Sequence, residues 1–102
     1  MDGISLIAAE RKRQIEQEGW TLEHDTGYTH GELAGAGSAY AMSAAAALAS
    51  GITTPIKAPP PFFRFGVDFW KPTTPLRDLV KAGALIAAEI DRLLRAEAKA
   101  VE

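Results

Sequence analysis

The chain reads as an all-α protein with three main helices, at about 4–18, 30–50 and 75–98, and a long Pro/aromatic-rich loop, together forming a small helical bundle. Three observations predict this. Apolar residues recur at helical spacing near both ends of the chain. The run LAGAGSAYAMSAAAALA between them carries no charge and lies between a cap signal and a glycine stop. All six prolines fall between that run and the first position of the last helix, which argues against a helix or a central strand there.

The first helix, Ile4 to about Glu18, places Ile4, Ile7, Ala8 and Ile15 on one side. Its run Glu10-Arg11-Lys12-Arg13 is expected to point mostly toward water, and Gly19 stops it. For the second helix, Thr29 and Glu32 form a capping-box pattern, and Gly51 follows Ser50 at its end. No charge occurs from Leu33 to Ile56, and a helix that is apolar all round is buried all round. A membrane span is disfavoured, because Ala, Gly and Ser give weak transfer energy. One small chain cannot easily cover every side of such a helix, and small residues let backbones approach closely. A homo-oligomer through the Ala/Gly-rich helix is therefore expected, against a monomer in which the other helices and the loop sandwich it.

The third helix opens with Thr74 as N-cap and Pro75 at its first position, and runs to about Ala98. Leu76, Leu79, Val80, Gly83, Ile86, Ala87, Ile90, Leu93 and Leu94 form one stripe, read as its core face, with Gly83 as a notch for the small-residue helix. Asp78, Lys81, Leu85, Glu89 and Arg92 share another face, either solvated with ion pairs or a second contact surface. The loop from Gly51 to Thr74 holds Phe62, Phe63, Phe65, Phe69 and Trp70, with Arg64 and Lys71 interleaved. Some of these rings must be core; others suit a stacking wall with a cation beside it.

With 102 residues the chain is a single helical domain, 1–102, with an ordinary balance of 47% apolar and 24% charged residues. A net charge of -2 argues against a nucleic-acid partner. Cysteine is absent, which excludes disulfides and thiolate metal sites. The opening MDGISLIAAERKR lacks the order of a signal peptide, so a cytoplasmic location is expected, with no membrane partner.

Both histidines lie in EGWTLEHDTGYTHGELA, among Glu18, Glu23, Asp25 and Glu32 and beside Trp20 and Tyr28. A metal there would draw on Glu10, His24, Asp25 and Glu89, a mix suited to Mg²⁺ or Mn²⁺ rather than Zn²⁺. No HExxH or EF-hand pattern supports one. Much of the segment has a plain explanation: Asp25-Thr26-Gly27-Tyr28 as a turn, Thr29 and Glu32 as a cap, and Trp20 packed beneath. In the third helix Arg77 and Lys81 lie one turn apart near the N-terminus, where free amides and the dipole favour an anion. With Lys71 and aromatic rings nearby, a phosphorylated nucleotide is the natural ligand.

The stretches AAERKRQIEQEGWTLEHDTGYTHGELA and WKPTTPLRDLVKAGALIAAEIDRL resemble small proteins encoded by tailed phages and prophages. Those share a pattern close to ERxRQIxxEGWTxEHDxxHTxGELA followed by WKPxxxxRDLVKAGALIxAEIxRL. The resemblance omits the middle of the chain, and the sequence departs from it mainly in the Gly/Ala-rich helix and the FFRFG loop. It implies a host-cytoplasmic protein of bacteria. It also places Glu10, Arg13, Trp20, His24, Asp25 and His30 in motif positions, together with Glu32, Trp70, Lys71, Arg77, Lys81 and Glu89.

Three functions follow. The first is a phage-type module that binds a nucleotide-derived small molecule, sequestering a bacterial immune signal such as a cyclic nucleotide or ADP-ribose derivative. Its expected contacts are Arg13, Trp20, His24, Asp25 and His30, with Arg64, Trp70, Lys71, Arg77 and Lys81. The second is a relative of the MazG-like all-α nucleoside-triphosphate pyrophosphohydrolases, which hold Mg²⁺ with ExxE and a later ExxD. Here Glu32 stands alone and Glu89-Ile90-Asp91 has the wrong spacing. The third is a structural phage protein. Binding without catalysis is expected, and no catalytic residue is assigned.

Overall fold

Asp2 opens the first helix by accepting the Ser5 amide on its carboxylate, and α1 runs over Gly3–Gln17. The structure, a computed structural model, describes residues 1–51 and 57–101. Gly19, at φ 74°, turns the chain out of α1, and the Trp20 amide donates back to the Gln14 carbonyl. Thr21 then caps a short helix, α2 (Leu22–Asp25), that no sequence pattern announced. The expected turn follows it, closed by the Tyr28 amide on the Asp25 carbonyl at 3.0 Å.

α3 (Glu32–Ser50) begins later than expected. Gly31, at φ 78°, is its N-cap in place of Thr29, because the chain enters the helix through the left-handed region that glycine tolerates. Glu32 still reaches back, but to the His30 amide, at 2.6 Å. The loop is described from Lys57 to Thr74 and holds one 3-10 turn, Val67–Phe69. Residues 52–56, with Pro55 and the end of the uncharged run, lie outside the described residues. α4 (Pro75–Ala100) starts as the sequence implies: Thr74 accepts the Arg77 amide and Pro75 takes the first position. The described residues contain no strand, and no helix among them is long and apolar enough to cross a membrane.

α4 is the axis of the fold. α3 and α1 each pack along it but hardly touch one another, and α2 rests against it. Gly37 faces Leu85 and Ile86 of α4, while Tyr40 faces Lys81, so α3 runs antiparallel to α4. α1 is antiparallel too, since Ile7 lies at Gly83 and Glu10 at Arg77.

Four expectations are overturned by this packing. The aliphatic stripe of α4 faces outward: Leu76, Leu79, Ile86, Ile90, Leu93 and Leu94 are exposed, and of the stripe only Val80 is buried. The face carrying Asp78, Lys81, Leu85 and Glu89 turns inward instead. The reason is steric. Close approach of α3 at Gly37 needs small neighbours, and Ala82 and Ala88 supply them beside Leu85. Second, α1 buries Glu10, Arg11 and Gln14 and leaves Ile4 and Ala8 exposed, so of its charged run only Lys12 stands fully in water. Third, α3 is not sandwiched on all sides within one chain. Its inner face, including Leu33, Ala36, Ala39, Tyr40 and Ala44, is covered within the chain, while Met42, Ala45, Ala46 and Leu48 are exposed. Fourth, the Gly83 notch receives Ile7 of α1, not α3; a Cβ there would lie 2.5 Å from the Ile7 Cδ1.

The loop supplies what the helices lack. Phe63 and Trp70 are buried against Leu33, Tyr40 and Leu85, so these rings belong to the core. Tyr40 pins the loop by donating to the Phe69 carbonyl and accepting the Lys71 amide at 3.1 Å. Gly35 lets the loop backbone lie directly on α3, since any Cβ there would collide with the Phe62 carbonyl oxygen. Gly35→Ala is therefore expected to destabilise the fold by about 2 kcal/mol, because a backbone neighbour cannot yield as a flexible side chain does. Urea unfolding against the parent chain checks this; an unchanged midpoint would show that the loop does not depend on this contact.

Candidate functional site

Because α1 and α3 flank α4 without meeting, a cleft of about 480 Å³ opens between them, roofed on one side by the loop. Its walls combine polar groups from α1 and α2 with aromatic rings from α3 and the loop. The volume suits a small organic ligand.

The floor is organised by one carboxylate. Glu10 is 2% exposed and accepts from Arg13 Nε at 2.8 Å and Nη2 at 3.0 Å, from Gln14 Nε2 at 3.2 Å, and from Arg77 of α4. Burial works to raise its pKa, yet the hydrogen bonds and charges of Arg13 and Arg77 outweigh burial and hold it below the ordinary value. Arg13 also donates to Glu18 at 2.8 Å, and its pKa rises further above the already high guanidinium value through its bonds to Glu10 and Glu18. Gln14, 1% exposed, is fixed in orientation by Glu10, which can only accept. Its Oε1 is a sealed acceptor without a partner among the described residues, while the residue itself borders the cleft.

A second carboxylate, Asp25, organises the neighbouring wall. Arg11 donates to its Oδ2 at 3.3 Å, and His24 Nδ1 lies 3.3 Å from its Oδ1. Since a carboxylate only accepts, it favours the Nδ1–H form of His24, leaving Nε2 to accept from the Tyr28 hydroxyl at 3.4 Å. His24 and Tyr28 also meet edge to face, and Tyr28 continues onto Phe65, Phe63 and Trp70, the last stacked on Tyr40 at 4.8 Å. The wall is one connected run of rings.

Two lysines border the same cleft. Lys81 Nζ donates to the Lys71 carbonyl at 2.7 Å and sits 5.4 Å from the Tyr40 ring centroid. Burial pushes its pKa below the ordinary value, with Arg77 and Arg13 adding to that effect against Asp78 and Glu10. Neither Lys71 nor Lys81 makes an ion pair with a carboxylate among the described residues. Asp78 behind them is 1% exposed and accepts the Thr73 amide at 2.8 Å, and burial raises its pKa.

Of the residues singled out in the sequence, Arg13, Trp20, His24, Asp25, Lys71 and Lys81 line this cleft together. Four others do not. Trp70 is core behind Tyr40, Arg64 is exposed elsewhere on the loop, and His30 bonds its neighbour Thr29 outside the cleft. Arg77 is drawn onto Glu10, so the expected anion site at the start of α4 loses one of its cations to an internal pair. Glu10, His24 and Asp25 border the cleft, but Glu89 lies off it, paired with Arg92 at 2.5 Å. No group of three or more metal-ligating side chains comes together among the described residues. Gln14 and Tyr40 escaped the sequence reading, in which Tyr28 is only a neighbour of the histidines and part of a turn. Gln14 stands one turn from Glu10, but nothing in the sequence said that α1 turns its polar side inward. No family model, curated protein or solved structure matches the chain.

Two of the buried carboxylates, Glu10 and Asp78, carry opposite pH signatures. Glu10, held low in the folded state, contributes stability that is present above its unfolded pKa and lost as pH falls through its folded value. Asp78, held high, opposes folding once ionised, and its protonation on acidification relieves that cost. Glu10→Gln is expected to cost about 2 kcal/mol at neutral pH, less than a fully buried pair because both arginines are partly exposed. Asp78→Asn, which keeps an oxygen for the Thr73 amide, should be neutral or stabilising there. Denaturation of both variants from pH 7 down through the carboxylate range checks the signs; a Glu10→Gln deficit that persists in acid would contradict them.

Proposed function

We propose that the cleft binds a nucleotide-derived, phosphorylated small molecule. The observation that carries this reading is the charge accounting of the cleft. Glu10, Glu18 and Asp25 are each covered by a guanidinium, whereas the ammonium groups of Lys71 and Lys81 have no carboxylate in contact among the described residues. The charge left uncovered is cationic. It lies beside Tyr40 and the exposed ring of Phe69, a pairing of anion site and flat apolar surface that suits a phosphate joined to a base.

The reading is capture rather than turnover, in the manner of a phage module that sequesters a nucleotide signal of its bacterial host. Metal-dependent pyrophosphohydrolysis has less support. A Mg²⁺ or Mn²⁺ site needs several free carboxylates together, and Glu10, Asp25 and Glu89 are each tied to an arginine.

A panel of nucleoside phosphates, cyclic dinucleotides and ADP-ribose derivatives, with inorganic phosphate as the control, should include a compound that raises the melting temperature. Lys71→Gln with Lys81→Gln should weaken that compound at least about tenfold, or roughly 1.4 kcal/mol, while leaving helical content unchanged. Heat release of the ligand should return it intact; hydrolysed product would favour the pyrophosphohydrolase, and a panel without any shift would sink the nucleotide reading.

A further inference from the structure

The outward stripe of α4 points to a second copy of this chain as its cover. We propose that two copies associate through Leu76, Leu79, Ile86, Ile90, Leu93 and Leu94 into a dimer whose core is an α4–α4 contact. Leu76 is 67% exposed, Ile90 52% and Leu94 57%, although all are large aliphatics at three- and four-residue spacing on one face. Positions 83 and 87 between them are Gly and Ala, so no charge interrupts the stripe from 76 to 94. The six side chains leave roughly 600 Å² of apolar surface open, close to the about 800 Å² each partner contributes to a stable interface. Ile4, also exposed, stands one turn before the Ile7 that fills the Gly83 notch. Isolated aliphatics on a surface are ordinary; a contiguous patch of this size is not.

The far part of α4 gives the second argument. From Ile90 to Ala100 no residue is buried, and the tertiary hydrogen bond found there is Arg95 to the Leu22 carbonyl at 3.2 Å. A helix end draws most of its stability from packing, and this one has Leu93 and Leu94 aimed away from the body of the chain. The Cα radius of gyration, 14.1 Å, exceeds the about 13 Å of a globule this long, as a projecting helix requires. A two-fold axis near Ile86 makes the stripe self-complementary, its Leu76–Leu79 end meeting the Leu93–Leu94 end of the other copy. The copy-to-copy contact expected of the Ala/Gly-rich helix thus falls on α4. The cleft opens between α1 and α3, and its lining includes Leu85 and Lys81 but none of the stripe, so dimerisation and ligand binding are separable.

Sedimentation at micromolar concentration should give twice the 10.9 kDa chain mass, with a melting temperature that rises with protein concentration. Leu79→Glu with Ile90→Glu should give a monomer that keeps its helical signal, since both positions are exposed in the single chain. Because the chain has no cysteine, Ile86→Cys should cross-link copies on oxidation, whereas Ala46→Cys on the outer face of α3 should not. A parent chain that remains monomeric overturns the proposal, including one that instead binds lipid vesicles. So does a dimer that survives the double glutamate, or one that cross-links through Ala46→Cys alone. Failure of the nucleotide panel with a dimer intact would count against the ligand and not against this interface.

Discussion

The Glu10 carboxylate is the constraint on which the arrangement turns. It is buried on α1, yet its oxygens take donors from Arg13 and Gln14 on the same helix and from Arg77 on α4. Burying a charge is tolerable only when its lone pairs are satisfied, and these donors satisfy them. Once they do, α1 must present its polar side to α4. That single commitment leaves Ile4 outside, brings Gln14 into the cleft, and sets Ile7 into the Gly83 notch.

The same commitment explains why α4 is inverted. Its inner face must accept a polar helix on one side and a small-residue helix on the other. Asp78, Leu85, Ala82, Ala88 and Glu89 meet those two demands better than large aliphatics would. The aliphatic stripe is then left on the outside. The spacing of apolar residues along a helix tells which of them share a face; it does not say which of two available cores that face joins. In this chain the intramolecular core is the small-residue and aromatic cluster around Tyr40 and Leu85, with the Glu10 network beside it, and the apolar stripe of α4 is left outside.

This is also where the sequence was legible and where it was not. Helix ends could be read from Gly19, Gly51, Thr74 and Pro75, because caps and stops act locally. Arg13, Trp20, His24, Asp25, Lys71 and Lys81 stood out by residue type, and they share one cleft because the α1 to α2 turn and the loop end both abut α4. Trp70, Arg64, His30 and Arg77 stood out equally, but their surroundings are set by contacts distant in sequence. Trp70 stacks on Tyr40, and Arg77 finds Glu10 across the helix pair. Nothing in the local pattern distinguishes a cation that waits for a ligand from one already spent on an internal carboxylate.

That distinction decides how the cleft is understood. Counting residue types alone, the wall beside α1 looks acidic and fit for a metal. Counting which charges remain uncovered reverses the sign. The guanidiniums of Arg11, Arg13 and Arg77 suit the role of permanent partners, since each presents several donors in a fixed fork and stays protonated. The lysines carry compact charges that burial and neighbours can tune, and Lys81 is tuned downward by burial beside Tyr40. A partly desolvated ammonium held only by a carbonyl gains more from an arriving anion than a hydrated one does, because part of its desolvation is already in place. The division of labour between arginine and lysine is thus what leaves two lysines as the uncovered charges of a cleft bordered by three carboxylates, and the proposed anionic ligand rests on that difference.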